Sequence, residues 1–158
     1  MSRDSTARKT VLVVDDHRPL RALCRASLEA AGFQVLEACD GSEALASIRA
    51  ESPDLILLDI MMPGISGWEV TAALLADRST DQIPIVFISA RSELSDRIRA
   101  FELGAQGYLM KPFDPDVLAD TVATVLDQIE RGERDAGLAE TLATLRKEQV
   151  SVGKPARP

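Results

Sequence analysis

The sequence predicts an α/β protein in which five parallel strands carry helices on both faces. Three observations lead there. Strand-like apolar runs alternate five times with segments of helical periodicity. The runs VLVV at 11–14, LILL at 55–58 and IVFI at 85–88 are apolar at every position, which suits parallel strands buried on both faces. Four runs end in reactive polar residues: Asp15 with Asp16, Asp59, Ser89 and, after GYLM at 107–110, Lys111. Right-handed crossovers would bring those ends to one edge, where open α/β sheets bind ligands.

The elements follow in order. A polar tail over 1–9 reads as disordered, and strand one runs from about 10 to 15. Pro19 suits the first turn of a helix, where its missing N–H costs nothing. Leu20, Leu23, Cys24, Ser27, Leu28 and Ala31 keep a helical stripe until Gly32 stops it. Strand two is the less apolar FQVLE at 33–37. Asp40 opens the next helix, with Leu45 and Ile48 inward, and Ser52-Pro53-Asp54 turns the chain into strand three. Pro63, Gly64 and Gly67 keep 62–67 a loop, and a helix over about 67–77 turns Val70, Leu74 and Leu75 inward. Strand four spans about 84–88, helix four about 92–103 and strand five about 106–110. Pro115 begins helix five, with Val117, Leu118, Val122, Val125, Leu126 and Ile129 as its apolar face.

Composition narrows the function. The chain has 158 residues, room for one domain with a core and a short appendage. Its charge of -7 and its 4% aromatic content are wrong for a nucleic-acid surface, which would be basic or offer stacking platforms. No apolar run approaches the ~18 residues of a membrane-spanning helix. The N-terminus lacks an apolar signal region. Cys24 and Cys39 have no metal-ligand spacing and suit a reducing cytosol, where a buried thiol acts as a small hydrophobe. A cytoplasmic protein with no membrane insertion and no direct nucleic-acid contact is expected.

The strand-end residues can do specific chemistry. Mg²⁺ takes oxygen ligands in octahedral geometry and keeps several waters, so two or three carboxylates suffice to hold it. Asp residues at strand ends also cap following helices; that accounts for one of them, but not for an adjacent pair plus a third after another buried strand. Asp59 could accept a phosphoryl group as an acyl phosphate. Lys111 could place a point charge on a phosphoryl oxygen, or be a surface lysine. Ser89 could donate its hydroxyl there, or cap helix four. His17 reads as an exposed residue starting helix one, with a role near the pocket as the alternative.

VLVVDD at 11–16, DGSEAL at 40–45, DLILLDIMMPGISG at 54–67, IPIVFISA at 83–90 and GAQGYLMKPF at 104–113 together resemble the receiver domain of bacterial two-component response regulators, of the single-domain, chemotaxis-regulator kind. The resemblance covers about 10–131 and implies a five-stranded doubly wound, flavodoxin-like sheet in the order 2-1-3-4-5 with five flanking helices. By resemblance Asp59 is the phosphoacceptor. Asp16 and Asp59 bind Mg²⁺ with the Met61 backbone carbonyl, and Asp15 assists. Ser89 and Lys111 contact the phosphoryl group, Ser89 and Tyr108 form the switch, and the Lys111-Pro112 bond is cis. Met61 and Arg91 flank the pocket. The donor is a sensor histidine kinase or a phosphotransfer protein, and the output is contact with a downstream protein, with a homodimer through the helix 4–strand 5–helix 5 face as an option. No separate output domain fits in 132–158.

Two other classes fit the sequence less well. A haloacid-dehalogenase-like phosphatase also pairs Asp with Mg²⁺ on an α/β fold, but it places its nucleophile after the first strand with a second Asp two residues on; here the pair is adjacent and Asp59 follows strand three. A pseudo-receiver that only docks partners would not need all five site residues. Beyond Gly132 the character changes: Leu138, Leu142 and Leu145 have helical spacing over about 137–149, and 151–158 reads as disordered. A stripe that narrow predicts a mobile or loosely docked helix.

Overall fold

The computed structural model describes residues 8–90, 93–135 and 138–153. The strands are β1 (Thr10–Val14), β2 (Gln34–Ala38), β3 (Leu55–Asp59), β4 (Ile85–Ser89) and β5 (Gly107–Met110). The helices are α1 (Arg18–Ala30), α2 (Gly41–Glu51), α3 (Gly67–Leu75), α4 (Leu94–Glu102), α5 (Pro115–Glu130) and α6 (Leu138–Gly153). All strand pairs are parallel, in the order β2-β1-β3-β4-β5. This is the doubly wound, flavodoxin-like sheet with five flanking helices, and α6 adds a sixth.

Side-chain alternation along the strands divides the core. Leu12, Val14, Ile56, Leu58 and Phe87 join Ala44, Ile48, Val70, Leu74 and Ala100, so α2, α3 and α4 cover one face. Val11, Val13, Leu55, Leu57 and Val86 join Cys24, Leu28, Leu118, Val122 and Val125, so α1 and α5 cover the other. Each fully buried Leu, Ile or Val stabilises the fold by about 1.5–3 kcal/mol relative to exposure. Phe87 is fully buried in β4; deleting such a ring typically costs ~3–5 kcal/mol.

Local chemistry sets the helix ends. Asp40 accepts a hydrogen bond from the Glu43 N–H, Ser66 and Glu69 form a reciprocal capping box, and Asp114 accepts from Asp116 before Pro115 at the first helical position. Gly104, at φ 93, ends α4 in the left-handed region that other residues avoid.

The structure departs from the sequence reading in identifiable places. β5 is an edge strand: none of its residues is buried, and Met110 is 44% exposed. Leu23, Leu75 and Val117 extend the apolar stripes of their helices yet are exposed, because each stripe is wider than the sheet surface beneath it. Cys24 is buried but Cys39 is exposed. Backbone pairing starts before β1, since the Lys9 carbonyl accepts from the Gln34 N–H at 2.9 Å; the rest of the expected tail, 1–7, lies outside the described residues. α6 runs on through Gly153, past the expected 149, so 151–153 are helical; 154–158 lie outside the described residues. α6 packs against α4.

Candidate functional site

The strand order reverses between β1 and β3, and the crevice beyond their carboxyl ends is the natural ligand site of such a sheet. Asp15 and Asp16 follow β1 there, and Asp59 ends β3. Asp15 and Asp59 are buried, whereas Asp16 is exposed at the rim. A carboxylate oxygen from each of the three lies within 4.8 Å of the others. Lys111, just past β5, reaches across: its Nζ lies 2.7 Å from Asp15 Oδ2 and 3.3 Å from Asp59 Oδ2. Ser89 is buried at the end of β4, and its carbonyl accepts from the Lys111 N–H at 2.8 Å. The Lys111-Pro112 bond is cis. Met61 donates its N–H to Asp59 Oδ1 at 3.2 Å while its side chain points outward. Tyr108 stands apart from this group; it pairs with Phe87 across the strands and is half-buried on the α4 side of the sheet. His17 is exposed, and only its N–H engages the site, donating to Asp15 Oδ1 at 2.8 Å. Arg91 lies outside the described residues.

The charges are out of balance. Burial, then the nearby Asp15 charge, push the Asp59 carboxyl up to about 6 against the pull of Lys111. Burial works against the Lys111 ammonium, but its close approach to Asp15 and the Asp59 and Asp15 charges outweigh it, leaving its pKa raised. With a folded pKa above the unfolded value of 3.8, Asp59 binds its proton more tightly in the native state, so this group's contribution to stability falls as pH rises from about 4 to about 6. In chelator-treated protein, Asp59→Asn should therefore gain stability over wild type across that window, by up to roughly 3 kcal/mol above it. Urea unfolding at several pH values checks this; a difference that is flat or shrinking between pH 4 and 7 contradicts it.

A cation would restore the balance, and the donor set suits a hard one. Three carboxylates converge, and Asp15 Oδ2 is buried without a hydrogen-bond partner, because Lys111 approaches it closely but off the hydrogen-bonding direction. Oxygen-only ligands at an open rim fit Mg²⁺, which keeps part of its water shell. A second grouping, Cys39, Asp40 and Glu43, is occupied in forming the start of α2.

Two supporting residues carry no obvious sequence signal. Arg21 Nη1 donates to the Asp15 carbonyl at 2.7 Å, while its Nε donates to Glu37 at 3.2 Å, fixing the β1 exit to β2. Gly67 sits so close to β3 that a Cβ there would lie 2.4 Å from the Asp59 carbonyl oxygen. Only glycine lets α3 begin against the backbone of the central carboxylate. Pro63, Gly64 and Gly67 mark the loop, not this contact.

A buried aspartate at the switch point of a 2-1-3-4-5 sheet, flanked by an acidic pair and faced by a lysine, is the layout of a phosphoacceptor signalling domain. The family model for the response regulator receiver domain matches residues 11–123, and the chain belongs to that family. It is a receiver domain of two-component signalling, with chemotaxis-regulator-like structural neighbours. It is 41% identical over 128 residues to the phosphate regulon transcriptional regulatory protein PhoB of Pseudomonas aeruginosa, covering 81% of this chain and 56% of that one. It is 38% identical over 123 residues to the probable transcriptional regulator ycf27 of Cyanophora paradoxa, covering 78% and 50%. The chain thus spans about half the length of these curated relatives. Among solved structures, the chemotaxis protein CheY4 of Vibrio cholerae superposes with a TM-score of 0.71 at 33% identity, covering 75% of this chain and 99% of that one. A CheY-like receiver domain protein from Methanospirillum hungatei gives 0.74 at 28% identity, covering 80% and 99%. Among the described residues, no helix is long and apolar enough to cross a membrane.

Proposed function

We propose that this receiver takes a phosphoryl group onto Asp59 from a phosphohistidine, on a sensor histidine kinase or a phosphotransfer protein, and signals by altering a protein-contact face. The observation that carries the reading is the Asp59 carboxylate itself. It is buried at the end of β3, with Lys111 Nζ at 3.3 Å and two further carboxylates beside it. One Asp59 oxygen attacks phosphorus, and the P–N bond to the donor imidazole breaks. Its electron pair stays on the imidazole nitrogen, which takes up a proton, and an acyl phosphate forms on Asp59. Asp15, Asp16, Asp59 and the Met61 carbonyl would hold Mg²⁺, which when bound neutralises charge on the phosphoryl oxygens. Lys111 gives up its hold on Asp59 to meet one phosphoryl oxygen, and the Ser89 hydroxyl donates to another. Drawing Ser89 inward frees space into which Tyr108 turns, biasing the surface of α4, β5 and α5 between two packings.

The downstream partner is a protein met on that surface, and a homodimer through it is the alternative use. The charge of -7 disfavours direct nucleic-acid contact by this segment. A cytoplasmic setting matches an acyl phosphate supplied by intracellular donors. Incubation with acetyl phosphate and Mg²⁺ should add a single phosphoryl mass to the intact protein, and excess EDTA should prevent it. Equal labelling with and without EDTA would rule out the metal-dependent mechanism.

A further inference from the structure

α6 meets the rest of the protein on α4. Leu145 is 7% exposed, and Leu138 and Leu142 are half-buried, while Glu140, Thr144 and Lys147 face solvent. The leucine stripe is therefore the buried side of α6. Two ion pairs cross the seam: Arg146 Nη2 to Glu102 Oε1 at 3.0 Å, and Arg97 Nη2 to Glu148 Oε2 at 3.9 Å. In the connection before α6, Arg134 Nη1 donates to the Gln82 carbonyl, which ties the connection to the segment before β4.

α4 is also the helix that follows Ser89. It begins at Leu94, and Glu93 at its N-cap makes no side-chain cap hydrogen bond, unlike the caps of α2, α3 and α5. Arg99, an exposed residue of α4, lies over the Trp68 ring at 4.3 Å, and Trp68 packs on Phe87 of β4 at 5.1 Å. A change at the end of β4 thus reaches α4 through its connection and through this ring stack. The seat of α6 is lightly built. One fully covered leucine and two half-covered ones hold it, exposed ion pairs add little, and an isolated helix of this length is marginal in water. An equilibrium so close to balance moves with a small difference in affinity.

We propose that α6 is a cover on α4 that phosphorylation loosens. With Asp59 unmodified, α6 occupies the outer surface of α4. With Asp59 phosphorylated, the inward pull on Ser89 shifts α4, α6 leaves, and the surface accepts a partner's amphipathic helix in its place. That helix would repeat the leucine spacing of 138, 142 and 145, with a basic residue for Glu102 and an acidic one for Arg97. This rests on Asp59 being the phosphoacceptor.

Hydrogen exchange on the full chain tests it, with acetyl phosphate and Mg²⁺ maintained and intact mass recording phosphorylation in parallel. Amides over 138–150 should exchange about tenfold faster once Asp59 is labelled, as a locally opening element does. Arg146→Glu should loosen the same amides before labelling, Arg146→Glu with Glu102→Arg should restore them, and both should label as fully as wild type. Full labelling with unchanged protection over 138–150 overturns the cover while leaving the phosphoacceptor intact. So does a Leu145→Ser variant whose α6 amides are protected like wild type, since Leu145 is the covered contact of the seam. No labelling at all overturns the phosphoacceptor, and the cover with it.

Discussion

Asp59→Asn should abolish phosphoryl uptake while leaving the fold intact. The amide keeps the shape of the carboxylate, so α3 can still begin against this backbone and Met61 can still donate to the side-chain oxygen. What is lost is the nucleophile. An amide oxygen does not form a stable acyl phosphate, and removing a nucleophile lowers reaction rates by at least about a thousandfold. Intact mass after incubation with acetyl phosphate and Mg²⁺ should show only unmodified protein. The same variant should unfold at higher urea than wild type at neutral pH without metal, because it deletes a buried charge whose pKa burial and Asp15 push up to about 6. Loss of labelling joined to gain of stability separates a missing nucleophile from a misfolded protein. Labelling of the variant to wild-type extent contradicts the assignment.

Asp16→Ala should remove the response to Mg²⁺. Asp16 is the exposed member of the acidic trio, so its loss disturbs no core packing and creates no buried orphan. Altering even an outer-shell partner of a metal site costs about 10–100-fold in affinity, and a direct carboxylate ligand should cost at least that. Trp68 is the sole tryptophan and follows Gly67, whose backbone abuts the Asp59 carbonyl. Its emission should follow metal binding in wild type and stay flat in the variant over the same Mg²⁺ range. Matching titration curves place the metal elsewhere.

The central strands were legible because β1, β3 and β4 are buried on both faces, which forces continuous apolar runs. Their ends were legible for the same reason: a polar residue closing such a run marks the end of the strand, and parallel strands send those ends to one edge. Asp15, Asp16, Asp59 and Lys111 meet there. The edge position of β5 followed from the order 2-1-3-4-5 and not from its apolar run, which by itself looks like that of a central strand. Leu75 misled, because periodicity reports a stripe without the width of the surface beneath it. The contacts of Arg21 with Asp15 and of Gly67 with Asp59 are short in sequence, but each depends on how a helix packs back on the strand before it, which apolar periodicity does not report. The leucine stripe of α6 was visible, but a stripe does not name its partner; α4 supplies it through Glu102 and Arg97.

The most direct test of the account is to locate the phosphoryl group chemically. An acyl phosphate is reduced by borohydride to an alcohol, which leaves a permanent mass change at the modified residue. Wild-type protein treated with acetyl phosphate and Mg²⁺, then with borohydride, should carry that change at Asp59 alone when its peptides are sequenced by mass spectrometry, and should carry none when Mg²⁺ is withheld. A change at Asp15, Asp16 or any other carboxylate, or one at Asp59 that appears without the metal, contradicts it.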